Sequence, residues 1–118
     1  MQKVASVILA DISPADGLGR VVNALMAAKE FKEAKDDVQI IFSGAGTKWI
    51  SELANQGHML HSVYKELKGS IVGACGFCAG AFGVADSIKK TGVNILEEYG
   101  TNMSFHRLVK SGYQVITF

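Results

Sequence analysis

The sequence predicts an α/β fold, a three-layer α/β/α sandwich around a mainly parallel sheet of about five strands. Apolar, β-branched runs alternate with segments of helical periodicity, and the connections between them are short. The runs are apolar on both faces, as in strands that helices cover on both sides. With 118 residues, of which 48% are hydrophobic and 19% charged, the chain is expected to form one domain over residues 1–118.

The first strand is predicted at Val4 to Ile12, a nearly continuous apolar run that ends at Ser13-Pro14. An amphipathic helix follows, with Asp16 as its expected N-cap and apolar residues at i, i+3, i+4 and i+7 spacing. Its inward face consists of Leu18, Val21, Val22, Leu25 and Met26. The charged stretch from Lys29 to Asp37 is expected to be the solvated end of this helix.

The second strand is predicted at Val38 to Phe42, and the glycine-containing loop Ser43 to Thr47 follows it. Two short helices come next, and Thr47 is the expected cap of the first. Their apolar faces are Trp49, Ile50, Leu53 and Ala54 in the first, and Leu60, Val63, Tyr64 and Leu67 in the second.

The central strand is predicted at Ser70 to Cys75, a buried apolar run with a cysteine at its end. One helix of small residues is expected from about Cys78 to about Lys90, where Thr91-Gly92 ends it. The residues predicted to face inward are Ala81, Val84, Ala85 and Ile88.

A short fourth strand is predicted at Val93 to Leu96. The last helix is expected to open at Thr101 or Asn102 and to turn Phe105, Leu108 and Val109 inward. The final strand, Tyr113 to Phe118, is expected at or near a sheet edge or a subunit contact, because the sequence ends inside it.

Charge and hydropathy exclude several partner classes. The net charge is +1, from 12 basic and 11 acidic residues, so the sequence predicts no binding to nucleic acid or to a membrane surface. No apolar run approaches the roughly 20 residues that span a bilayer. The segment Met1 to Ile12 is interpreted as a strand and not a signal peptide, since Asp11 interrupts it, and this favours a cytoplasmic protein.

Ligands of open α/β sheets bind outside the carboxyl ends of the strands, and this rule nominates three loops. They are Asp11 to Gly19, Ser43 to Thr47 and Cys75 to Gly80, which we expect along one edge of the sheet. The candidate ligand-binding residues are Asp11, Ser43, Gly44, Gly46 and Gly76. Backbone amides in Ser43 to Thr47 could bind an anion, although the loop is neither a P-loop nor a dinucleotide fingerprint. The alternative for Ser43 to Thr47 is a tight turn with a helix cap and no ligand. The alternative for Asp11 is an aspartate that caps or bonds the loop that follows it.

Cys75 and Cys78, the two cysteines of the chain, are the candidate catalytic residues. A thiol at a strand end, before a helix amino-terminus, is stabilised as the reactive thiolate. The C-x-x-C spacing is also typical of dithiol redox sites, whereas the alternative is that both are small buried hydrophobic residues. One C-x-x-C supplies only two of the four ligands of a structural zinc site, so no metal and no cofactor are predicted.

Four features of the chain resemble the DsrE/DsrF-like family, which includes the YchN-like proteins. They are the strand Val72-Gly-Ala-Cys75, the small-residue helix leading to Gly92-Val93, the ending Leu108-Val-Lys-Ser-Gly112-Tyr113-Gln-Val-Ile, and the order of the amino-terminal elements. The resemblance covers essentially the whole chain. It implies a homo-oligomer, usually a trimer or hexamer, and in some members a cysteine that accepts a persulfide sulfur and passes it on.

Two departures from the relay carriers of that family stand beside the resemblance. Cys78 is an additional thiol, and Lys89-Lys90-Thr91-Gly92 replaces the arginine-glycine ending of their cysteine helix. Three functions are therefore expected alternatives. The leading one is a persulfide carrier that uses Cys75, with sulfur donor and acceptor proteins as partners. The others are a dithiol redox protein that uses Cys75 and Cys78, and a non-catalytic ligand-binding or assembly module.

Overall fold

Five short strands pair in parallel to form one sheet in the computed structural model, which describes residues 1–118. The strands are β1 (Lys3–Ile8), β2 (Asp37–Phe42), β3 (Ile71–Cys75), β4 (Ile95–Leu96) and β5 (Gln114–Thr117). Their spatial order is β4-β3-β2-β1-β5, so the final strand lies at an edge, as predicted. The predicted α/β sandwich with a sheet of about five strands is confirmed.

Six α-helices connect and cover the strands. They are α1 (Asp16–Glu33), α2 (Trp49–Ala54), α3 (His61–Glu66), α4 (Gly76–Ala81), α5 (Ala85–Lys90) and α6 (Phe105–Lys110), with 3-10 turns at Gly44–Lys48 and Lys68–Ser70. None of these helices combines the length and the apolar character needed to cross a bilayer.

The two faces of the sheet are covered unequally. On one face, residues of α1 to α5 pack with Ile8, Ile40, Phe42 and Ala74 in a cluster of 17 buried residues. On the other face, Met103 and Leu108 pack on the sheet in a cluster of only 6, and this second cluster contains Cys75. Helix α6, six residues long, is the helix that lies on this second face, so much of it carries only a thin layer of protein.

The ends of β1 and α1 differ from the prediction. β1 stops at Ile8 and not at Ile12, because the N–H groups of Leu9 and Ala10 both donate to the carbonyl of Phe118 and leave the strand ladder. Asp16 does not cap α1 and instead pairs with Arg20 at 2.9 Å. The hydroxyl of Ser13 accepts the Gly17 N–H at 2.7 Å in its place. Met26, predicted to face inward, is 51% exposed.

The single helix predicted from Cys78 to Lys90 is two helices. The first begins at Gly76, and the chain breaks after Ala81 because Gly83 adopts a left-handed conformation with φ of 70°. The second runs from Ala85 to Lys90 and buries Ile88, as predicted, whereas Ala81 is exposed.

Helix α6 begins four or three residues after the predicted Thr101 or Asn102, because Ser104 caps it by accepting the Arg107 N–H at 3.0 Å. Of the three residues predicted to face inward, only Leu108 is buried. Phe105 and Val109 are 45% and 65% exposed, so the prediction for these two was wrong. The apolar periodicity of α6 predicted buried positions, but no further element packs over Phe105 and Val109 on this face of the sheet.

Candidate functional site

An irregularity in β3 sets where Cys75 points. Ile71 pairs with Ile40, but the next pair joins Gly73 with Ile41, so Val72 is an extra residue in the ladder. Such a bulge redirects the side chains that follow it. Cys75 consequently lies on the thinly covered face, within the cluster that contains Met103 and Leu108, and the residue is 1% exposed.

Polar groups surround the sulfur of Cys75. The backbone N–H of Met103 donates to Sγ at 3.5 Å, and the thiol donates to Oδ1 of Asn102 at 3.7 Å. Burial alone would raise the pKa of the Cys75 thiol, but other contacts outweigh it. The backbone N–H groups of Cys78 and Met103, with the Cys78 thiol and the Ser43 hydroxyl, lower this pKa below that of an ordinary cysteine.

Cys78 responds in the opposite direction. Its Sγ lies 3.8 Å from the hydroxyl of Ser43, and the residue is partly exposed. Burial and the neighbouring Cys75 thiol raise the pKa of Cys78, while the Gly44 N–H and the Ser43 hydroxyl oppose this shift only in part. Of the two thiols, Cys75 is therefore the one that ionises first as the pH rises, with the protonated Cys78 as a hydrogen-bond donor to its thiolate. The two cysteines are free thiols and form no disulfide.

Cys75 opens onto a cavity of about 420 Å³. This volume lies within the usual range of small-molecule sites, roughly 300–1,000 Å³. The lining residues are Ser43, Cys75, Tyr99, Asn102, Met103, Ser104, Phe105 and His106. We call this space the Cys75 cavity.

The loop after β4 forms one wall of the Cys75 cavity. Tyr99 and Asn102 bond each other's backbones in a tight turn, which Gly100 permits with φ of 58°. The carboxylate of Glu98 accepts the Ser104 N–H at 3.0 Å and pairs with Arg107 at 2.5 Å. These contacts anchor the loop to α6 and hold Asn102 and Met103 beside the thiol.

Two of the candidate glycines pack closely against backbone. A Cβ on Gly76 would lie 2.8 Å from the carbonyl oxygen of Thr101, which accepts the neighbouring Phe77 N–H at 2.7 Å. A Cβ on Gly46 would lie 2.0 Å from the carbonyl oxygen of Ile8. Gly76 therefore lets the loop after β4 approach the thiol, and Gly46 lets the loop after β2 lie on β1.

The remaining candidates of the loop after β2 take different positions. Ser43 lines the Cys75 cavity, and Gly44, with φ of 54°, follows it into the 3-10 turn. Thr47, predicted to cap α2, lies inside that turn, and its hydroxyl donates to the Gly44 carbonyl at 2.9 Å. Ser43 is therefore the residue of this loop whose side chain reaches both thiols.

Asp11 does not line the Cys75 cavity. Its carboxylate accepts the Ile12 N–H at 2.7 Å and pairs with Lys48 at 3.1 Å, and these contacts lower the pKa of Asp11. The Lys48 ammonium also lies 4.9 Å from the centre of the Phe82 ring. Lys48 thus links the loop after β1 to Phe82, the residue that follows α4.

The histidines are dispersed. Nδ1 of His58 accepts the Leu60 N–H, Nδ1 of His61 lies 2.8 Å from the Leu53 carbonyl, and His106 is exposed at the Cys75 cavity. No three side chains among histidine, cysteine, aspartate and glutamate are grouped as metal ligands would be.

Sequence reasoning missed the loop after β4 and the start of α6 as parts of the site. Tyr99, Asn102, Met103, Phe105 and His106 all line the Cys75 cavity, yet none was a candidate. The rule that nominated the first three loops applies equally to the carboxyl end of β4, which pairs with β3 beside Cys75. That rule was the available signal.

Comparisons with known proteins agree with this architecture. The sequence profile described as "DsrE/DsrF-like family" matches residues 5–118. An uncharacterized protein of Methanocaldococcus jannaschii, MJ0733, is 29% identical over 96 residues, which are 81% of this chain and 78% of that protein. The structure of a conserved protein of unknown function from Bacteroides thetaiotaomicron, BT1422, superposes with a TM-score of 0.58 at 21% identity, over 97% of this chain and 94% of the other. This last likeness shows a shared fold.

Proposed function

The chain belongs to the DsrE/DsrF-like family, and on that premise we propose that it carries sulfur as a persulfide on Cys75. The family suggests a role in sulfur relay. The observation that supports the proposal most is the environment of the Cys75 sulfur. N–H and O–H donors lower the pKa of the Cys75 thiol, and Cys75 lines a cavity of about 420 Å³.

Loading follows from the chemistry of a thiolate beside a persulfide donor, R–S–SH. The Cys75 thiolate attacks the outer sulfur, and a new S–S bond forms as the donor's S–S bond breaks. The products are Cys75–S–SH and the donor thiolate R–S⁻, so no external oxidant is needed. The N–H of Met103, 3.5 Å from Sγ, is positioned to stabilise the attacking anion.

Unloading is the same exchange in reverse, with an acceptor thiolate as nucleophile. The acceptor attacks the outer sulfur of Cys75–S–SH, takes it as its own persulfide, and leaves the Cys75 thiolate. The contacts that lower the pKa of Cys75 also make it a good leaving group. The proposal requires a persulfide donor and a thiol acceptor, and donor and acceptor proteins are its candidate partners.

The test is the mass of the intact protein after incubation with a persulfide donor. We expect the wild-type chain to gain the mass of one sulfur atom and Cys75→Ser to gain none. A wild-type chain that stays unmodified under conditions that load an established carrier would overturn the proposal.

The second candidate is a dithiol redox function of Cys75 and Cys78, and the opposite pKa shifts of the two thiols favour it. A substrate disulfide, R–S–S–R, would accept two electrons from the pair and leave as two thiols, while Cys75 and Cys78 form a disulfide. Equilibration with glutathione redox buffers tests this candidate. A Cys75–Cys78 disulfide at cytosolic potentials supports it, and a pair that stays reduced in the most oxidising buffer overturns it.

We further propose that the protein is a cytoplasmic homo-oligomer, a trimer or hexamer. A cytoplasmic location would keep both thiols reduced. Four large apolar residues are exposed near the thinly covered face and α4, namely Phe77, Tyr99, Phe105 and Val109 at 57%, 77%, 45% and 65%. Light scattering of the purified protein tests the assembly, and a monomer at micromolar concentration would contradict it.

A further inference from the structure

The Cys75 cavity lacks a strongly charged wall. Aspartate, glutamate, lysine and arginine are all absent from its eight lining residues. The one histidine, His106, is exposed at the surface of α6. Arg107, the nearest arginine along the chain, is not among the lining residues and pairs with Glu98.

The position of the thiol requires a sulfur donor to enter this cavity. Cys75 is 1% exposed and lines the cavity in contact with Asn102 and Met103. Tyr99 and Phe105 offer aromatic surface on the way to it. A volume of about 420 Å³ suits a small molecule.

A carboxylate or sulfonate on the donor would lose hydration on entry without meeting a buried cation. Burying a charge without a partner is costly, whereas an apolar group gains from aromatic surface. Both effects favour the entry of donors whose organic part carries no charge over the entry of anionic donors.

We propose that the Cys75 cavity takes low-molecular-weight persulfides whose organic part is uncharged, in preference to anionic donors of the same size. This inference rests on the proposed persulfide function and names its substrate class. In the step, the Cys75 thiolate bonds to the outer sulfur of the protonated persulfide R–S–SH. The donor's S–S bond breaks, and R–S⁻ departs with the electron pair.

The test compares two donors that differ by one carboxylate, the persulfides of N-acetylcysteine and of its methyl ester. Loading rates are measured by mass spectrometry at the same pH for both donors. Each rate is divided by the rate at which that donor reacts with a simple free thiol, so that the intrinsic reactivity of the two donors is removed from the comparison. We expect the ester to load Cys75 at least about tenfold faster than the acid.

A matched pair of variants on α6 tests whether the cavity causes this preference. Phe105→Lys adds an ammonium group to the lining, and we expect it to reduce or reverse the preference for the ester. Val109→Lys adds the same charge to an exposed position outside the lining, and we expect the wild-type preference.

Four outcomes would overturn the inference. Equal normalised rates would do so, as would faster loading by the acid. Loading by a protein-bound persulfide but by neither small donor would overturn this inference alone. Loading by no donor at all would overturn the proposed function together with it.

Discussion

The backbone N–H of Met103 donates to the sulfur of Cys75 at 3.5 Å, although 28 residues separate the two in the chain. The contact exists because β4 pairs in parallel with β3, so the loop after β4 leaves the sheet beside the thiol. Gly76 permits the approach, since a Cβ there would lie 2.8 Å from the Thr101 carbonyl oxygen. The environment of the Cys75 sulfur thus depends on two neighbouring strand ends and not on the C-x-x-C segment alone.

We expect alkylation by iodoacetamide to rise with pH in two phases. The pKa of Cys75 is lowered and that of Cys78 is raised, and only thiolates react. The first phase, at a pH below the ordinary cysteine range, should label Cys75, and the second should label Cys78. Peptide mapping at each pH assigns the phases. A single phase at or above the ordinary thiol range would contradict the thiolate assignment.

Cys78→Ala should shift the first phase to higher pH. The substitution removes the thiol that donates to the Cys75 sulfur, although the backbone N–H groups of residues 78 and 103 remain. Alkylation of Cys75 at neutral pH should consequently slow several-fold. Cys78→Ser keeps a hydroxyl donor and is the control, for which a smaller shift is expected. An unchanged or faster Cys75 in Cys78→Ala would show that the second thiol does not stabilise the thiolate.

Asn102→Asp should raise the pKa of Cys75 and slow its loading. Oδ1 of Asn102 lies 3.7 Å from Sγ, so a carboxylate there would repel the thiolate. Asn23→Asp adds the same charge on α1, where the Asn23 side chain bonds the Gly19 carbonyl, and should leave loading unchanged. The comparison uses the pH of half-maximal alkylation for both variants. Equal values in both would argue against Asn102 as a neighbour of the reacting sulfur.

Gly46→Ala should destabilise the fold, because its Cβ would lie 2.0 Å from the Ile8 carbonyl oxygen. Overpacking at such a contact typically costs about 1–3 kcal/mol. Gly80→Ala, in α4, meets nothing within 4 Å and should stabilise the helix by about 0.5–1 kcal/mol. Urea denaturation measures both free energies of unfolding. A tolerated Gly46→Ala would show that the close approach of this loop to the Ile8 carbonyl does not require glycine.

Local patterns in the sequence predicted the fold well. Apolar runs located the first three strands and the last one to within a few residues, and strand–helix alternation predicted the parallel sheet. The residue that caps a helix was less predictable. At the start of α1, the Ser13 hydroxyl accepts the Gly17 N–H in place of the expected Asp16 cap, although both side chains are suitable acceptors close to this end of the helix. The inward face expected for Phe105 and Val109 failed because periodicity reports apolar residues and not the layer that covers them.

The site was predictable only in part. Cys75 ends β3 and Ser43 follows β2, so both could be nominated from the sequence, and both line the cavity. Asn102 and Met103 reach the thiol through strand pairing, a non-local contact that leaves no local signature. Val72, the extra residue of β3, looks like any other strand residue, yet the bulge there helps to direct Cys75 to the thinly covered face.

The central claim is that Cys75 carries the transferred sulfur, and the most direct measurement is the location of that sulfur in Cys78→Ser. This variant lacks the second thiol that could displace the sulfur and form a disulfide. After incubation with a persulfide donor, peptide-resolved mass spectrometry should find one added sulfur atom on Cys75. Cys75→Ser, treated alike, should carry none. Sulfur on Cys78 in Cys75→Ser, or on neither cysteine in any variant, would contradict the account.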